Sequence, residues 1–494
     1  MLEKHLSRRS LLRGALVTGA GMVLAACAPQ VVKETVVVEK EKIVEKPVEK
    51  EVTKVVEKEK IVEKVVKETV VVEKQVQAAS KQVTVRYHCR AGAAKPPSSE
   101  FATHQNRVNE FLEEHPEIKV VREDIANTDL HDYYVKLATM VAGGTVGDMT
   151  WDHQSDCDHQ RLAHAGILAP LDEFMTRDSV KEDEWWPAGM QNAKLDGKLY
   201  GLPMSNHPGC EAFLFFNKTM FEKAGLKIPS NDDYTIDDLY TACKTLTKGD
   251  PTKRDVWGLD PFYKFAGSQT QEGWMRMYGA YSFVDEAGAK SLMNSDAAQQ
   301  WTAFGYKFYN EDRFAPPAEA IPSGGLYAMF ASGQLAAFQS GTWSIKTSLA
   351  AVGSSFEEGI VQFPKGPSGR GSGNYLDTFA MLASSKVKDA TWLLLRAFTD
   401  KRCGYLQIAL TGSLPGRGDF MEFADLKDDP IVKVEYKSIM ESKPQFRLAN
   451  FRGAEHQLTM ENMLGAIWVG KEKPTKAYLD TLQQTCQEIL DKPA

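Results

Sequence analysis

The sequence lacks the short motifs that mark the best-known catalytic and nucleotide-binding sites. No HExxH, GxSxG, P-loop or GxGxxG string occurs in its 494 residues. Such strings hold zinc ligands, a nucleophilic serine or a phosphate cradle at a fixed spacing. Their absence argues against those enzyme classes, and we expect no catalytic residue and no cofactor. A hydrolase with an acidic pair far apart in sequence remains a remote alternative.

Positive charge and closely spaced cysteines are also scarce. The formal net charge is −7, so the chain has no basic excess with which to bind nucleic acid. None of the seven cysteines forms a CxxC pair, and their wide spacing argues against a zinc cluster. Apart from Cys27, they either pair outside the cytoplasm or remain small buried apolar residues, namely Cys89, Cys157, Cys210, Cys243, Cys403 and Cys486.

The N-terminus has an apolar run, but that run is short. Residues 14–26 form a stretch of about 13 residues, the length of a signal-peptide core rather than of a membrane-spanning helix. The preceding Arg8-Arg9 pair resembles a twin-arginine export signal. The following Leu24-Ala25-Ala26-Cys27 resembles a bacterial lipobox. This resemblance implies a signal peptide over 1–26, lipidation of Cys27 and anchoring on the extracytoplasmic side of the cell membrane, after export by the twin-arginine route.

The next segment, 27–81, differs in composition from the rest of the chain. Between residues 31 and 77 it contains no aromatic residue and no glycine, and Lys-Glu-Thr-Val-Val-Val-Glu-Lys occurs at both 33–40 and 67–74. Pro47 interrupts any continuous helix. We interpret the segment as a solvated stalk between anchor and domain, and a short coiled coil is the alternative.

From residue 82 the pattern is that of a globular α/β domain. Strand-like and helix-like segments alternate along the chain, which predicts a parallel sheet covered by helices on both faces. The first of these segments are strand 83–88, helix 103–115, strand 118–121, helix 133–141 and strand 148–151. In such sheets ligands bind at the carboxyl ends of the strands.

The body also carries a series of strings in a characteristic order. These are DGKLYGLP at 196–203, FFNKTMFEKAGL at 215–226, YTIDDLYTACKTLT at 234–247, MFASGQLAA at 329–337 and SGTWS at 340–344. Thr235 within the third string is a predicted helix N-cap. Together the strings resemble the family 1 extracellular solute-binding proteins of ABC importers, which include maltose-binding proteins. The resemblance covers about residues 82–490.

The resemblance implies a two-lobed α/β fold of the type II periplasmic-binding-protein class, with a ligand cleft between hinged lobes. Lobe 1 is expected to contain 82–208 and 361–412, and lobe 2 to contain 213–360 and 413–494. The implied function is capture of a sugar or related solute for delivery to the permease subunits of an ABC importer, by a monomer. A binding protein for a glycerophosphodiester, polyol or polyamine is the alternative, and a cell-surface adhesin is a remoter one.

Candidate ligand contacts follow from what a sugar needs, which is an aromatic face for its C–H surface and polar groups for its hydroxyls. We expect them at strand ends and in loops that face the cleft. The candidates are Arg90, Glu123, Trp151, Asp152, Asn206, His207, Glu211, Trp343, Tyr375, Asp377 and Arg417. Each residue has a structural alternative, such as core packing for Trp151 and Trp343 or an acidic partner for Arg417. The Trp185-Trp186 pair is interpreted as helix packing.

Three histidines near acidic residues raise the question of a metal site. His153, His159 and His164 occur together with Asp152, Asp156, Asp158 and Cys157. The five-residue separation of His159 and His164 takes them off a common helical face, which disfavours a helix-borne ligand pair. We therefore predict no metal site.

The lipid anchor can be tested by removing the acylated thiol. A Cys27→Ala variant should leave the membrane fraction, because it cannot carry acyl chains, while its body stays folded. Fractionation of cells followed by a melting curve of the released protein measures both properties. Membrane association as tight as that of the wild type would disprove the lipoprotein interpretation.

The stalk can be tested by deletion. Removing residues 31–77 should leave the melting temperature of the body nearly unchanged, because a segment without aromatic residues cannot build a shared core. Thermal unfolding of the two proteins side by side is the measurement. A fall of many degrees would mean that the stalk packs on the body.

Overall fold

The computed structural model describes residues 35–42, 66–73, 82–90, 99–127, 130–153, 158–208, 212–251, 253–261, 267–419, 428–441, 443–444 and 452–492. The chain divides into two compact units, Met1–Gln82 and Val83–Ala494. The predicted signal peptide and Cys27 lie outside the described residues. No helix among the described residues has the length and apolar character that crossing a bilayer requires.

The first unit contains two strands, β1 (Thr35–Lys42) and β2 (Val66–Glu73). They pair antiparallel, with Thr35 opposite Glu73 and Lys42 opposite Val66. In these parts of the stalk the structure is therefore a β-ladder rather than a coiled coil. The physical reason is the run of three valines in each strand, because β-branched side chains favour the extended backbone over the helix.

The second unit begins with an alternation of strands and helices, as the sequence predicts. Its first elements are β3 (Val83–Arg90), α1 (Ser99–Glu114), β4 (Ile118–Ile125), α2 (Leu130–Ala142), β5 (Met149–His153), α3 (Asp158–His164), α4 (Asp172–Arg177), α5 (Pro187–Asn192), β6 (Lys194–Leu195), β7 (Lys198–Leu199) and β8 (Leu202–Pro208).

The elements that follow build the second lobe. They are β9 (Phe213–Asn217), α6 (Lys218–Lys223), α7 (Ile236–Leu246), β10 (Lys248–Asp250), β11 (Lys253–Val256), α8 (Gly267–Met277), α9 (Asp296–Tyr306), α10 (Gly325–Ala331), β12 (Ala337–Ser340), α11 (Ile345–Val352) and β13 (Glu358–Gln362). The predicted N-cap of α7 is confirmed, because the Thr235 side chain accepts a hydrogen bond from the Asp238 amide.

The remaining elements are β14 (Gly373–Met381), α12 (Lys388–Phe398), α13 (Lys401–Thr411), α14 (Pro430–Glu441), β15 (Lys443–Pro444), α15 (Gly453–Trp468) and α16 (Lys476–Leu490). The α/β class is therefore confirmed.

The main sheet of lobe 1 is mixed. Strands β3, β4 and β5 are parallel, while β14 runs antiparallel to both β5 and β8. The strand order is β4-β3-β5-β14-β8, and β15 adds a short parallel pairing to β14. The core of this lobe includes Trp392 and the stacked rings of Phe379 and Phe398, whose centroids are 4.5 Å apart.

Lobe 2 has a smaller sheet in the order β12-β9-β13, in which both outer strands run antiparallel to β9. One core cluster contains Trp274, Trp301 and Trp468 and includes residues of α15 and α16. A second cluster holds Phe215 and Phe338, which stack with ring centroids 4.5 Å apart. Each lobe thus has its own hydrophobic interior.

Two connections cross between the sheets. The first joins the end of β8 to the start of β9 through 209–212, and the second joins β13 to β14 through 363–372. Most of the second crossing packs on lobe 2, because Phe363 belongs to the lobe 2 core and the Lys365 amide donates to the Tyr234 carbonyl at 3.0 Å. Lobe 1 therefore resumes at β14, later than the expected residue 361.

The other expected lobe boundary also shifts. The family resemblance predicts that segment 413–419 belongs to lobe 2. In the structure, the Gly416 amide donates to the Met204 carbonyl at 2.8 Å, and the Trp186 amide donates to the Gly416 carbonyl at 3.1 Å. These hydrogen bonds attach the segment to lobe 1. Helix α14, which follows, packs against both β8 and β13 and so contacts both lobes.

A buried ion pair fixes the return of the chain to lobe 1. The Arg107 side chain on α1 is almost fully buried and donates to Asp400 Oδ2 through Nη2 at 2.7 Å and through Nε at 3.1 Å. The other Asp400 oxygen accepts from the Cys403 amide at 2.7 Å and so caps α13. One carboxylate therefore both starts a helix and neutralises a buried cation.

The two roles of Asp400 can be separated by mutation. Asp400→Ala removes the cap and leaves the almost fully buried Arg107 with its contacts to Glu110 and Glu114, so we expect a loss of roughly 2–3 kcal/mol of unfolding free energy. Asp400→Asn keeps a capping oxygen and should lose about 1 kcal/mol less than Asp400→Ala. Denaturant unfolding of both variants is the measurement, and equal losses would show that capping contributes nothing.

Candidate functional site

The topology of lobe 1 collects the ends of several strands at one edge. Strands β3, β4, β5 and β8 end at this edge, and β14 begins there because it runs in the opposite direction. In the register, Asp377 stands opposite His153 and Ser205, and Tyr375 stands opposite His207. Residues separated by more than 200 positions in the sequence thus share one sheet edge.

Six of the predicted ligand contacts lie at this edge. They are Arg90, Asp152, Asn206, His207, Tyr375 and Asp377. Asp377 is in the middle of β14 but stands opposite His153, the last residue of β5. For Asp152, Asn206, His207 and Tyr375 the structure describes the backbone position alone. Glu211 lies outside the described residues.

Asp377 is the best-defined polar group of the edge. Its side chain is 6 % exposed, and Oδ2 accepts a hydrogen bond from Ser205 Oγ at 2.8 Å. The bond links β14 to β8 through side chains as well as through the backbone ladder. A buried carboxylate held by a neighbouring strand is a pre-positioned acceptor for hydroxyl groups.

Trp151 lies below this edge and is buried. Its side chain is 2 % exposed and packs edge-on against Tyr133 with ring centroids 6.3 Å apart. The guanidinium of Arg90 covers the indole, with Cζ 4.9 Å from the ring centroid. The core alternative for Trp151 therefore describes its contacts best, and Arg90 is the group that this tryptophan supports from below.

Glu123 has a different role from the one expected. Its carboxylate accepts two hydrogen bonds from Arg86, from Nε to Oε1 at 2.7 Å and from Nη2 to Oε2 at 2.7 Å. This bidentate pair joins β3 to β4 and engages both carboxylate oxygens. Glu123 consequently stabilises the sheet, and we remove it from the candidate site.

Arg417 is likewise engaged by the protein. It is 6 % exposed, and its guanidinium donates to Glu184 Oε2 at 2.7 Å and to the two oxygens of Asp419 at 2.8 and 3.0 Å. The guanidinium also lies over Trp185, with Cζ 5.2 Å from the ring centroid. These contacts hold segment 413–419 on lobe 1. Arg417 thus has the acidic partners that the sequence left open, and Trp185 and Trp186 are buried packing residues as predicted.

Trp343 lies at the corresponding edge of lobe 2. It follows β12 in a single helical turn, Thr342–Ser344, at the edge where β12 and β13 end and β9 begins. Its side chain is partly exposed, in contrast to the buried Thr342 and Ser344 on either side. Part of the indole surface at this position is therefore accessible to solvent.

Gly341 determines where the indole of Trp343 can lie. A Cβ atom at residue 341 would be 2.2 Å from Cζ3 and 2.3 Å from Cη2 of Trp343, distances that real side chains do not adopt. The ring therefore folds over a glycine backbone, and no other residue type fits beneath it. The glycine of the Gly-Thr-Trp string is thus required by packing.

The two edges are close to each other. The connection 209–212 between β8 and β9 reaches about 18 Å when fully extended. In addition, Thr342 Oγ1 donates to Ser413 Oγ at 3.1 Å, and the segment that contains Ser413 is hydrogen-bonded to β8 through Gly416. The turn of Trp343 is consequently tied to the strand that carries Asn206 and His207.

The structure adds polar groups that the sequence analysis missed. Thr270 and Gln271 on α8, and Ser372 just before β14, are buried and have a side-chain oxygen with no hydrogen-bond partner among the described residues. Gly371 packs directly on the Gly273 carbonyl, which brings the segment before β14 next to α8. The spacing of apolar residues could not identify Thr270 and Gln271. A buried polar residue on a helix has the same sequence pattern as an exposed one.

Glu435 and Ser438 on α14 form a second such group. Both are buried, and neither Glu435 oxygen nor Ser438 Oγ has a hydrogen-bond partner within the described part of the chain. Burial, followed by the nearby Asp429, raises the pKa of Glu435 well above its ordinary value. Burial without a hydrogen-bond partner thus favours the protonated form of this carboxyl.

Metal binding has no support in the described residues. They contain no group of three or more His, Cys, Asp or Glu side chains placed to hold a metal ion. His159 is buried, with Nε2 3.2 Å from the Ala193 carbonyl. Cys89, Cys243, Cys403 and Cys486 are buried and are not part of a disulfide, and burial raises the pKa of Cys486 to about 12. Cys157 and Cys210 lie outside the described residues.

Comparison with known proteins gives concordant results. The family model described as "Bacterial extracellular solute-binding protein" matches residues 95–402, more than half of the chain. A maltotriose-binding protein of Pyrococcus abyssi is 22 % identical over 388 residues, which cover 75 % of this chain and 73 % of the relative.

Solved structures show the same two-lobed fold. An ABC substrate-binding protein of Listeria monocytogenes in complex with cycloalternan has a TM-score of 0.69 at 18 % identity, covering 82 % of this chain and 98 % of that one. The GacH receptor of Streptomyces glaucescens, solved unliganded and with acarbose, has a TM-score of 0.69 at 19 % identity, covering 84 % and 100 %. The chain therefore belongs to the bacterial extracellular solute-binding protein family.

Proposed function

We propose that this protein captures a sugar, in particular an oligosaccharide, outside the cytoplasmic membrane and delivers it to the permease of an ABC importer. The proposal rests mainly on the closeness of two sheet edges. The edge of the lobe 1 sheet carries polar residues, and the edge of the lobe 2 sheet carries the partly exposed Trp343. A sugar requires this combination of hydrogen-bonding groups and a flat apolar face. The maltotriose, cycloalternan and acarbose named for the similar proteins support the same ligand class.

The proposed binding site includes residues from both edges. Asp377, Arg90 and the strand-end positions Asp152, Asn206, His207 and Tyr375 supply hydrogen bonds from lobe 1. Thr270, Gln271 and Ser372 add polar oxygens beside the start of β14. Trp343 supplies the stacking face from lobe 2. The ligand would be held as the lobes close, because only then do both sets contact it.

The anchoring and export of the chain remain part of the proposal. The arginine pair and the lipobox-like Leu-Ala-Ala-Cys string support twin-arginine export and lipidation of Cys27, with the body held on the outer side of the membrane. A receptor tethered in this way stays near its permease partner. The body needs no catalytic group for this task, and we propose none.

The ligand class is tested by a thermal-shift screen of the released protein against maltotriose, other oligosaccharides, monosaccharides, polyols, glycerophosphodiesters and polyamines. A ligand that binds the native state alone raises Tm, by an amount that grows with its concentration over Kd. We expect the largest shift from an oligosaccharide. A shift with a polyamine or a glycerophosphodiester, and none with any sugar, would overturn the sugar assignment.

Trp343 provides the sharpest residue-level prediction. Trp343→Ala should weaken binding of the sugar found in that screen by about 1–3 kcal/mol, the scale of burying one large apolar side chain. This corresponds to roughly 5- to 150-fold in Kd. Gly341→Ala should weaken binding as well, because the added Cβ displaces the indole. Calorimetric titration measures both effects.

The control is Leu349→Ala on α11, a partly exposed residue of the same segment, which should leave Kd unchanged. Melting curves of all variants separate binding from stability. Unchanged affinity of Trp343→Ala together with a loss of several kcal/mol of stability would assign this residue to the core instead.

A further inference from the structure

The two strands of the stalk are copies of one sequence. Residues 33–40 and 67–74 are identical, and β1 and β2 contain most of each copy. In the antiparallel ladder Val37 stands opposite Val71. These two valines occupy the same position of the repeat, so the ladder pairs two copies of one sequence.

This register is symmetric about its central valine pair. Val36 stands opposite Val72, which is the repeat equivalent of Val38, and Val38 stands opposite Val70, the equivalent of Val36. The charges also match, because Lys40 stands opposite Glu68 and Glu41 stands opposite Lys67. A strand with this sequence is therefore complementary to any other copy of itself, with valines at the centre and opposite charges outside.

The ladder leaves hydrogen-bonding capacity unused. Within the part of the chain that the structure describes, β1 and β2 pair with each other and with no further strand. Among the described strands, each of the two thus has one edge of amide and carbonyl groups that no other strand pairs with. A two-stranded ladder is marginally stable in water, and additional strands stabilise it.

We propose that β1 of one chain pairs antiparallel with β1 of a second copy of this chain, centred on Val37. The resulting sheet would have the order β2-β1-β1-β2 and two-fold symmetry, with Thr35 opposite the second copy's Glu39 and Val36 opposite the second copy's Val38. A symmetric interface of this kind closes after two copies. It departs from the monomer that the family resemblance implies.

The choice of β1 over β2 rests on the lipid anchor proposed above. Cys27 precedes β1 by seven residues, which reach about 25 Å when extended. Anchors in one membrane would hold the β1 strands of neighbouring chains in a common layer and raise their effective concentration. In the ladder β2 is held beside β1, about 4.8 Å farther from the tether, so β1 is the strand that the anchor positions directly.

Single cysteine substitutions test the register in the full-length protein. In the proposed sheet Val37 faces its own copy, at about 4.5–5.5 Å between Cα atoms, which is within the range of a disulfide. Val37→Cys should give a disulfide-linked dimer on mild oxidation of membranes, as read on a non-reducing gel beside the wild type. No disulfide across the in-chain ladder is open to this variant, because Val71 is unchanged.

Val36→Cys and Val38→Cys are the matched controls. In the proposed sheet, residue 36 of one chain stands opposite residue 38 of the second copy, so neither variant should cross-link when expressed alone. Membranes from cells that co-express both variants should contain the mixed disulfide-linked dimer. Equal cross-linking of the three single variants, or no cross-linking of Val37→Cys, would overturn the proposal. If Val71→Cys formed the dimer and Val37→Cys did not, the contact would be between β2 strands. Cell fractionation of Cys27→Ala tests the anchor separately, so its failure and that of the pairing are distinguishable.

Discussion

The antiparallel insertion of β14 between β5 and β8 is the contact on which the candidate site depends. Strands β5 and β8 are parallel and end at the same edge, and β14 begins at that edge after the chain has completed most of lobe 2. This one strand brings Tyr375 and Asp377 beside residues of the first 210 positions. It also closes the sheet that anchors both crossings, so the polar edge and the Trp343 edge stay adjacent.

Several charged residues near the site are held by contacts within the fold. Glu123 and Arg417 are both held by bidentate or paired contacts with Arg86, Glu184 and Asp419. A charge that is buried must be neutralised in this way, because desolvation without a partner costs several kcal/mol. Arg90 rests on the face of Trp151 at a strand end, with Cζ 4.9 Å from the ring centroid.

The connections between the lobes are where buried polar groups collect. Ser413 and Thr342 are hydrogen-bonded to each other across this region, while Glu435 and Ser438 on α14 are buried beside both sheets. Helix α14 contributes Val432 and Ile439 to a cluster with Trp186, and Ile431 and Val434 to the lobe 2 cluster around Phe215. A single helix thus packs on both lobes beside the connections between them.

Sequence patterns determined the local elements and their class. The alternation in 83–88, the helical spacing of 103–115 and the cap at Thr235 depend on neighbouring residues alone, so they predicted β3, α1 and α7 correctly. The ordered strings predicted the family, which the match to its family model confirms. Tertiary structure decided the rest, because burial and charge pairing depend on residues far away in sequence. From the sequence alone, Trp151 and Trp343 have the same two interpretations, ligand contact or core packing. In the structure, Tyr133 and Arg90 cover Trp151, whereas Trp343 lies over the backbone of Gly341.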